Sequence, residues 1–96
     1  MDFQIQITEA ALADFEEILT YSWVNFPATA ETFGNAILDH LAILKSFPYV
    51  GSPVKGRPGV RQLIHTPIVL YYRVRKSPNV VEVLHFWHGA REGLRS

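Results

Sequence analysis

The chain contains no cysteine. That excludes disulfides, thiolate nucleophiles, iron–sulfur clusters and cysteine-ligated zinc, and it suits a reducing cytoplasm. No apolar run approaches the roughly 20 residues needed to span a bilayer. The opening Met1-Asp2-Phe3-Gln4 lacks the basic flank and apolar stretch of a signal peptide. A cytoplasmic protein without a membrane partner is therefore expected. There is no glycine-rich phosphate loop after a strand, no Walker pattern and no metal-ligand motif of standard spacing, so neither cofactor nor metal is expected. What is present is a foldable composition: 48% hydrophobic and 19% charged residues over 96 positions, enough for one domain spanning 1–96 and too short for two independent cores.

The net charge of zero conceals an asymmetry. Residues 1–44 carry seven acids (Asp2, Glu9, Asp14, Glu16, Glu17, Glu31, Asp39) and no Lys or Arg, a net −7. Residues 45–96 carry all nine Lys and Arg against Glu82 and Glu92, a net +7. One side of the fold then faces an anionic partner, or the halves neutralise each other across their interface.

Periodicity divides the chain into a strand, two helices and three strands. Phe3 to Ile7 alternates apolar and polar, with Phe3, Ile5 and Ile7 on one face. Thr8 is placed to cap a helix, with Glu9 in its first turn. Leu12, Phe15, Leu19, Trp23 and Phe26 make one helical stripe, leaving Asp14, Glu16 and Glu17 toward water, and Pro27 ends the helix. Ala30, Phe33, Ile37, Leu41 and Leu44 form a second stripe, with Thr29 as cap and Gly34 admitting close helix approach. The short link predicts an antiparallel helical hairpin. Residues 47–59 contain three prolines and three glycines, which predicts a loop with no regular element. Strands are expected over Val60 to His65, Ile68 to Arg75 and Val80 to His88, the last two joined by the hairpin loop Lys76-Ser77-Pro78-Asn79.

If Arg75 pairs with Val80, then Arg73 faces Glu82, Tyr72 faces Val83 and Leu70 faces His85. The first of these is an ion pair on a mixed face, and the other two build an apolar face over the helices. The mixed face would carry Tyr71, Arg73, Arg75, Phe86 and His88. Aromatics among arginines stack bases and bind phosphates, and they equally anchor protein interfaces. An ordinary solvated face with extended arginines has the same composition. His85 and His88 should point to opposite faces, against a two-histidine metal site, and His85 reads as a hydrogen-bonded core residue. His65 is expected exposed near a turn, and His40 has no evident partner. Cleavage of RNA through its own 2′-hydroxyl needs a base, an acid and cations at the phosphate. Lys55, Arg57, Arg61, Arg73, Arg91 and His88 are of suitable type.

Several short pieces occur in a familiar order: Thr8-Glu9-Ala10-Ala11 with Asp14; Phe47-Pro48 and then Gly51; Gly59-Val60-Arg61; Leu70-Tyr71-Tyr72-Arg73-Val74; and Val83-Leu84-His85-Phe86-Trp87-His88-Gly89-Ala90-Arg91. Over nearly the whole chain this resembles the RelE/ParE superfamily, the toxins of bacterial type II toxin–antitoxin modules. It is most similar to the ParE-like branch, often labelled plasmid stabilisation proteins. The last stretch looks like the family's His-Gly-x-Arg ending.

The resemblance implies an α+β fold: a strand, an antiparallel helical hairpin, then a three-stranded antiparallel sheet. It also implies a cognate antitoxin whose extended segment wraps the toxin, with a homodimer or a heterotetramer with antitoxin as the assemblies left open. ParE-type members inhibit DNA gyrase, and RelE-type members cut mRNA on the ribosome. A RelE-like enzyme would use Arg61, Arg73 and His88. Yet residues 89–96 contain no tyrosine, and Lys55 is the lone lysine of the loop. Those departures favour binding to gyrase over turnover, with a degenerate, non-toxic member as a third alternative. Lys55, Arg57, Arg61, Tyr71, Arg73, Arg75, Phe86, His88 and Arg91 are the expected contacts to target or antitoxin. Arg61 and Arg91 have a second reading, as braces that bond backbone carbonyls.

Overall fold

The computed structural model describes residues 2–89. Strand β1 (Gln4–Ile7) leads into helices α1 (Glu9–Asn25) and α2 (Ala30–Leu41), and a single 3-10 turn follows at Ala42–Lys45. Four strands complete the described chain: β2 (Ser52–Pro53), β3 (Val60–His65), β4 (Ile68–Arg75) and β5 (Val80–His88). They form one five-stranded sheet in the order β1-β5-β4-β3-β2. The α+β class and element order agree with the sequence, but the sheet is larger than the three antiparallel strands expected. β1 joins it parallel to β5. Two residues of the supposedly irregular loop, Ser52 and Pro53, pair antiparallel with β3. Proline is tolerated there because β2 is an edge strand, where a missing N–H leaves no ladder bond broken. No helix among the described residues is long and apolar enough to cross a membrane.

Both helices lie on one face of the sheet. The core between them contains Phe15, Ile18, Ile37, Leu41, Leu44, Leu63, Ile68, Leu70, Tyr72, Val81, Val83 and Phe86, with Phe3, Ile5, Leu19 and Phe33 packed at its margin. α2 follows its predicted stripe. α1 does not: its buried residues are Ala11, Phe15, Ile18 and Ser22, while Trp23 and Phe26 are 52% and 58% exposed. At 100° per residue the buried face is turned by about 70° from the expected stripe. The small residues Ala11 and Ser22 let the helix close on the sheet, and Ser22 satisfies its hydroxyl on the Ile18 carbonyl at 2.9 Å. Of the expected stripe only Phe15 and Leu19 pack inward, Phe15 against Phe86 of the sheet and Leu19 toward α2, while Leu12 is exposed with Trp23 and Phe26. Leu19 meets α2 at Gly34, where a Cβ would stand 2.8 Å from Leu19 Cδ2.

Thr8 caps α1 as expected, its Oγ1 accepting from Ala11 N at 3.1 Å. Thr29 makes no side-chain cap bond. Asp14, expected toward water, has a structural task. β1 pairs with β5 only as far as Ile7 with Val83, so the edge of β5 beyond Val83 has no strand beside it. α1 covers that edge instead. Thr8 N donates to the Val83 carbonyl at 3.1 Å, and Phe86 N donates to Asp14 Oδ2 at 3.2 Å. The same carboxylate oxygen lies 3.1 Å from His85 Nδ1. An exposed edge amide is thereby satisfied by a side chain, which also protects the edge from unwanted pairing.

Candidate interaction face

The β4–β5 hairpin begins in the expected register, with Arg75 opposite Val80, Arg73 opposite Glu82 and Tyr72 opposite Val83. Then it slips. The register shifts between Tyr71 and Tyr72, so that Tyr71 faces His85 and Leu70 faces Phe86. Leu84 is the extra residue of a β-bulge. Because side chains alternate with a period of two, one inserted residue exchanges the faces of everything after it. Phe86 and His88 therefore turn toward the helices, and His85 and Trp87 turn to the open face. Phe86, expected outside, is 4% exposed and packs on Phe15 with ring centres 5.2 Å apart.

The helix-free face that results is cationic and aromatic. Arg73 Nη2 and Arg75 Nε both donate to Glu82 Oε1, each at 3.1 Å. Tyr71 stands edge-on to Trp87 at 6.4 Å, and the Arg57 guanidinium lies over the Tyr71 ring at 5.9 Å. Lys55 is exposed on the same turn as Arg57. Two guanidiniums thus share one carboxylate while a third lies over Tyr71, and the face keeps a positive excess beside two aromatic rings.

The arginines hold the Glu82 carboxyl below its ordinary range, chiefly through the Arg75 hydrogen bond, against the desolvation that raises it. A depressed carboxyl contributes stability above its unfolded value and loses it as pH falls through the folded value. The expected consequence is a stability difference between the native chain and Glu82→Gln that is constant at neutral pH. It should shrink as pH drops below about 4.5. The size should stay below about 1 kcal/mol because the pair is solvent-accessible, and urea unfolding at pH 7 and pH 4 measures it.

Arg61 sits on the other side of the sheet. Its register partner is the buried Tyr72, and its guanidinium donates to the carbonyls of Gly51 at 2.7 Å and Tyr49 at 3.2 Å. It also lies over the Tyr49 ring at 5.1 Å. Gly51 N in turn donates to Tyr72 Oη at 2.9 Å. Burial pushes the Tyr72 phenol up, opposed by that bond and by Arg61. Arg61 is therefore a loop brace, and it fixes a segment whose Phe47, Tyr49 and Val50 side chains are exposed.

His88 also leaves the open face. Its ring stands edge-on to Tyr21 of α1 at 5.4 Å, at the mouth of an apolar cleft of about 450 Å³ lined by Phe26, Phe33 and Pro67 among others. Arg73 and His88 are on opposite sides of the sheet. Their register positions, Arg73 and Ile68 on β4, are five residues or roughly 17 Å apart. Arg61, Arg73 and His88 thus do not meet at one point. Arg91 lies outside the described residues. Of the expected contact residues, Arg57, Tyr71, Arg73 and Arg75 share one surface. Trp87 and His85 join them, and only the bulge reveals that. Among the described residues, no three His, Asp or Glu side chains converge as a metal cage.

This arrangement of a helical hairpin on a five-stranded mixed sheet is shared with toxin–antitoxin structures. A chain of the chromosomal ParDE system from P. aeruginosa superposes with a TM-score of 0.77 at 23% identity, covering 90% of this chain and 95% of that one. A chain of the RelBE2 toxin–antitoxin complex from Mycobacterium tuberculosis superposes with a TM-score of 0.70 at 19% identity, covering 93% and 100%. No curated protein sequence matches. The sequence family described as the ParE toxin of the type II toxin–antitoxin system parDE matches residues 5–93. The chain belongs to the ParE toxin family.

Proposed function

We propose that this chain is a growth-arresting toxin that binds DNA gyrase and is neutralised by a cognate antitoxin. The observation that carries this reading is the pairing of ParE family membership with the dispersal of Arg61, Arg73 and His88. A ribonuclease needs its acid, base and phosphate-stabilising cations around one scissile bond. Here those residues lie on two faces, and Arg61 already holds two carbonyls. What the fold offers instead is a continuous surface of Arg57, Tyr71, Arg73, Arg75 and Trp87, of the kind that binds a macromolecule through aromatic anchors and charge. The structures it is similar to come from toxin–antitoxin complexes, which supports an antitoxin as the second partner.

The test is induced expression with and without the neighbouring gene, followed by a supercoiling assay with purified protein and an mRNA-integrity assay. Growth arrest, loss of supercoiling and intact mRNA are expected. Arg73→Glu with Arg75→Glu reverses the charge of the face while leaving the core untouched. That variant should relieve arrest and weaken gyrase inhibition by about tenfold or more, with an unchanged far-UV spectrum. Ribosome-dependent mRNA cuts would establish the RelE-like enzyme, and no arrest at full soluble expression would establish a non-toxic member. Either result overturns the proposal.

A further inference from the structure

His40 on α2 and His65 at the end of β3 meet, although they are 25 residues apart in sequence, with Nδ1 atoms 2.9 Å from each other. Their ring centres are 5.1 Å apart and the planes are inclined at 53°. Phe33, one of the cleft residues, flanks His65 with its ring centre at 6.5 Å. Without metal, one Nδ1 donates a hydrogen to the other. The spacing has a second meaning. With metal–nitrogen bonds of about 2.0–2.1 Å and a tetrahedral angle, two imidazole centres on one zinc ion stand roughly 5.2 Å apart. That is the separation already present. The ring centres could stay in place while each ring pivots by roughly 35° to aim its Nδ1 at a shared ion. The terminal torsion of histidine is soft enough for such a swing.

We propose that His40 and His65 form a two-histidine site for a divalent transition ion of the zinc class, bound through both Nδ1 atoms and completed by water. Imidazole nitrogen selects zinc, copper or nickel over magnesium and calcium, which prefer oxygen ligands. With both histidines neutral, the donor ring moves its proton from Nδ1 to Nε2, so no net proton need leave. The bound ion would staple α2 to β3 beside the apolar cleft. The site stands apart from the open face and does not depend on the gyrase proposal.

The full chain, free of any histidine tag, is titrated with zinc chloride. The melting temperature is followed, and long-range proton–nitrogen NMR is recorded on the imidazoles. One ion per chain is expected. It should raise the melting temperature, since a ligand bound to the folded state stabilises it, and shift the Nδ1 resonances of His40 and His65 but not those of His85 and His88. His40→Gln and His65→Gln should each weaken zinc binding by more than about tenfold; magnesium should have no effect. No thermal or spectral change at millimolar zinc, or shifts confined to His85 and His88, would overturn the site. Unchanged affinity in both variants would do the same. The wild-type NMR result decides the matter even if a variant does not fold.

Discussion

Phe86→Ala should lower the unfolding free energy by about 3–5 kcal/mol, the usual cost of removing a buried aromatic ring. Phe86 lies at 4% exposure against Phe15, with its amide tied to Asp14. A domain of this size has only about 5–15 kcal/mol of stability in total, so the variant should sit near its unfolding threshold. At roughly 1 kcal/mol per molar urea, the midpoint should fall by several molar. Trp87→Ala, one residue along, removes a larger side chain from the open face and should shift the midpoint far less. The alternation without a bulge predicts the reverse order, because it puts Phe86 outside and Trp87 inside. Urea titrations of the two variants therefore test the bulge at Leu84 directly. Equal midpoints, or a larger loss for Trp87→Ala, would refute the face assignment.

The second large effect is expected at Gly51. A Cβ built there collides with the Gln62 carbonyl of β3 and stands 2.6 Å from Tyr72 Oη. Neither neighbour can yield cheaply: one is ladder backbone, and the other is a fully buried ring. Gly51→Ala should cost about 3 kcal/mol, the upper part of the range for overpacking, since displacing the loop would also disturb the bond from Gly51 N to Tyr72 Oη. Tyr72→Phe keeps the ring and deletes only the hydroxyl, so it should cost about 1–2 kcal/mol by leaving the Gly51 amide unpaired. The two variants separate steric exclusion from the hydrogen bond. Gly51→Ala should also displace the carbonyls that Arg61 holds and with them Tyr49, which its ring signals would report by NMR. A Gly51→Ala chain as stable as the native one would show that the loop does not pack on β3 and Tyr72 as described.

The candidate site is partly legible in the sequence. Composition and order placed Lys55, Arg57, Tyr71, Arg73 and Arg75 together in the basic half, and the hairpin loop correctly set Arg73 against Glu82. Strict alternation puts Phe86 and His88 on the open face because it assumes an unbroken ladder, and no glycine or other turn signal at Leu84 marks the bulge that turns them inward. Helical periodicity directs Asp14 to water because it shows which residues avoid the apolar stripe, not which strand edge lies beside them. For Arg61 the sequence leaves two readings open, a binding residue and a brace on backbone carbonyls, and the structure places it as the brace. Its register with Tyr72, on the helix side, redirects it to the loop carbonyls.

By itself the sequence determined the order of strand and helices, the cap at Thr8, the α2 stripe, the hairpin register near its loop and the family resemblance. All of these arise from contacts a few residues apart or from local composition. Tertiary structure alone decided the parallel docking of β1 on β5, the two-residue edge strand, the rotation of α1 and the meeting of His40 with His65. Each depends on which distant segments compete for the same apolar surface and unpaired backbone, and such competition is settled only when the whole chain packs.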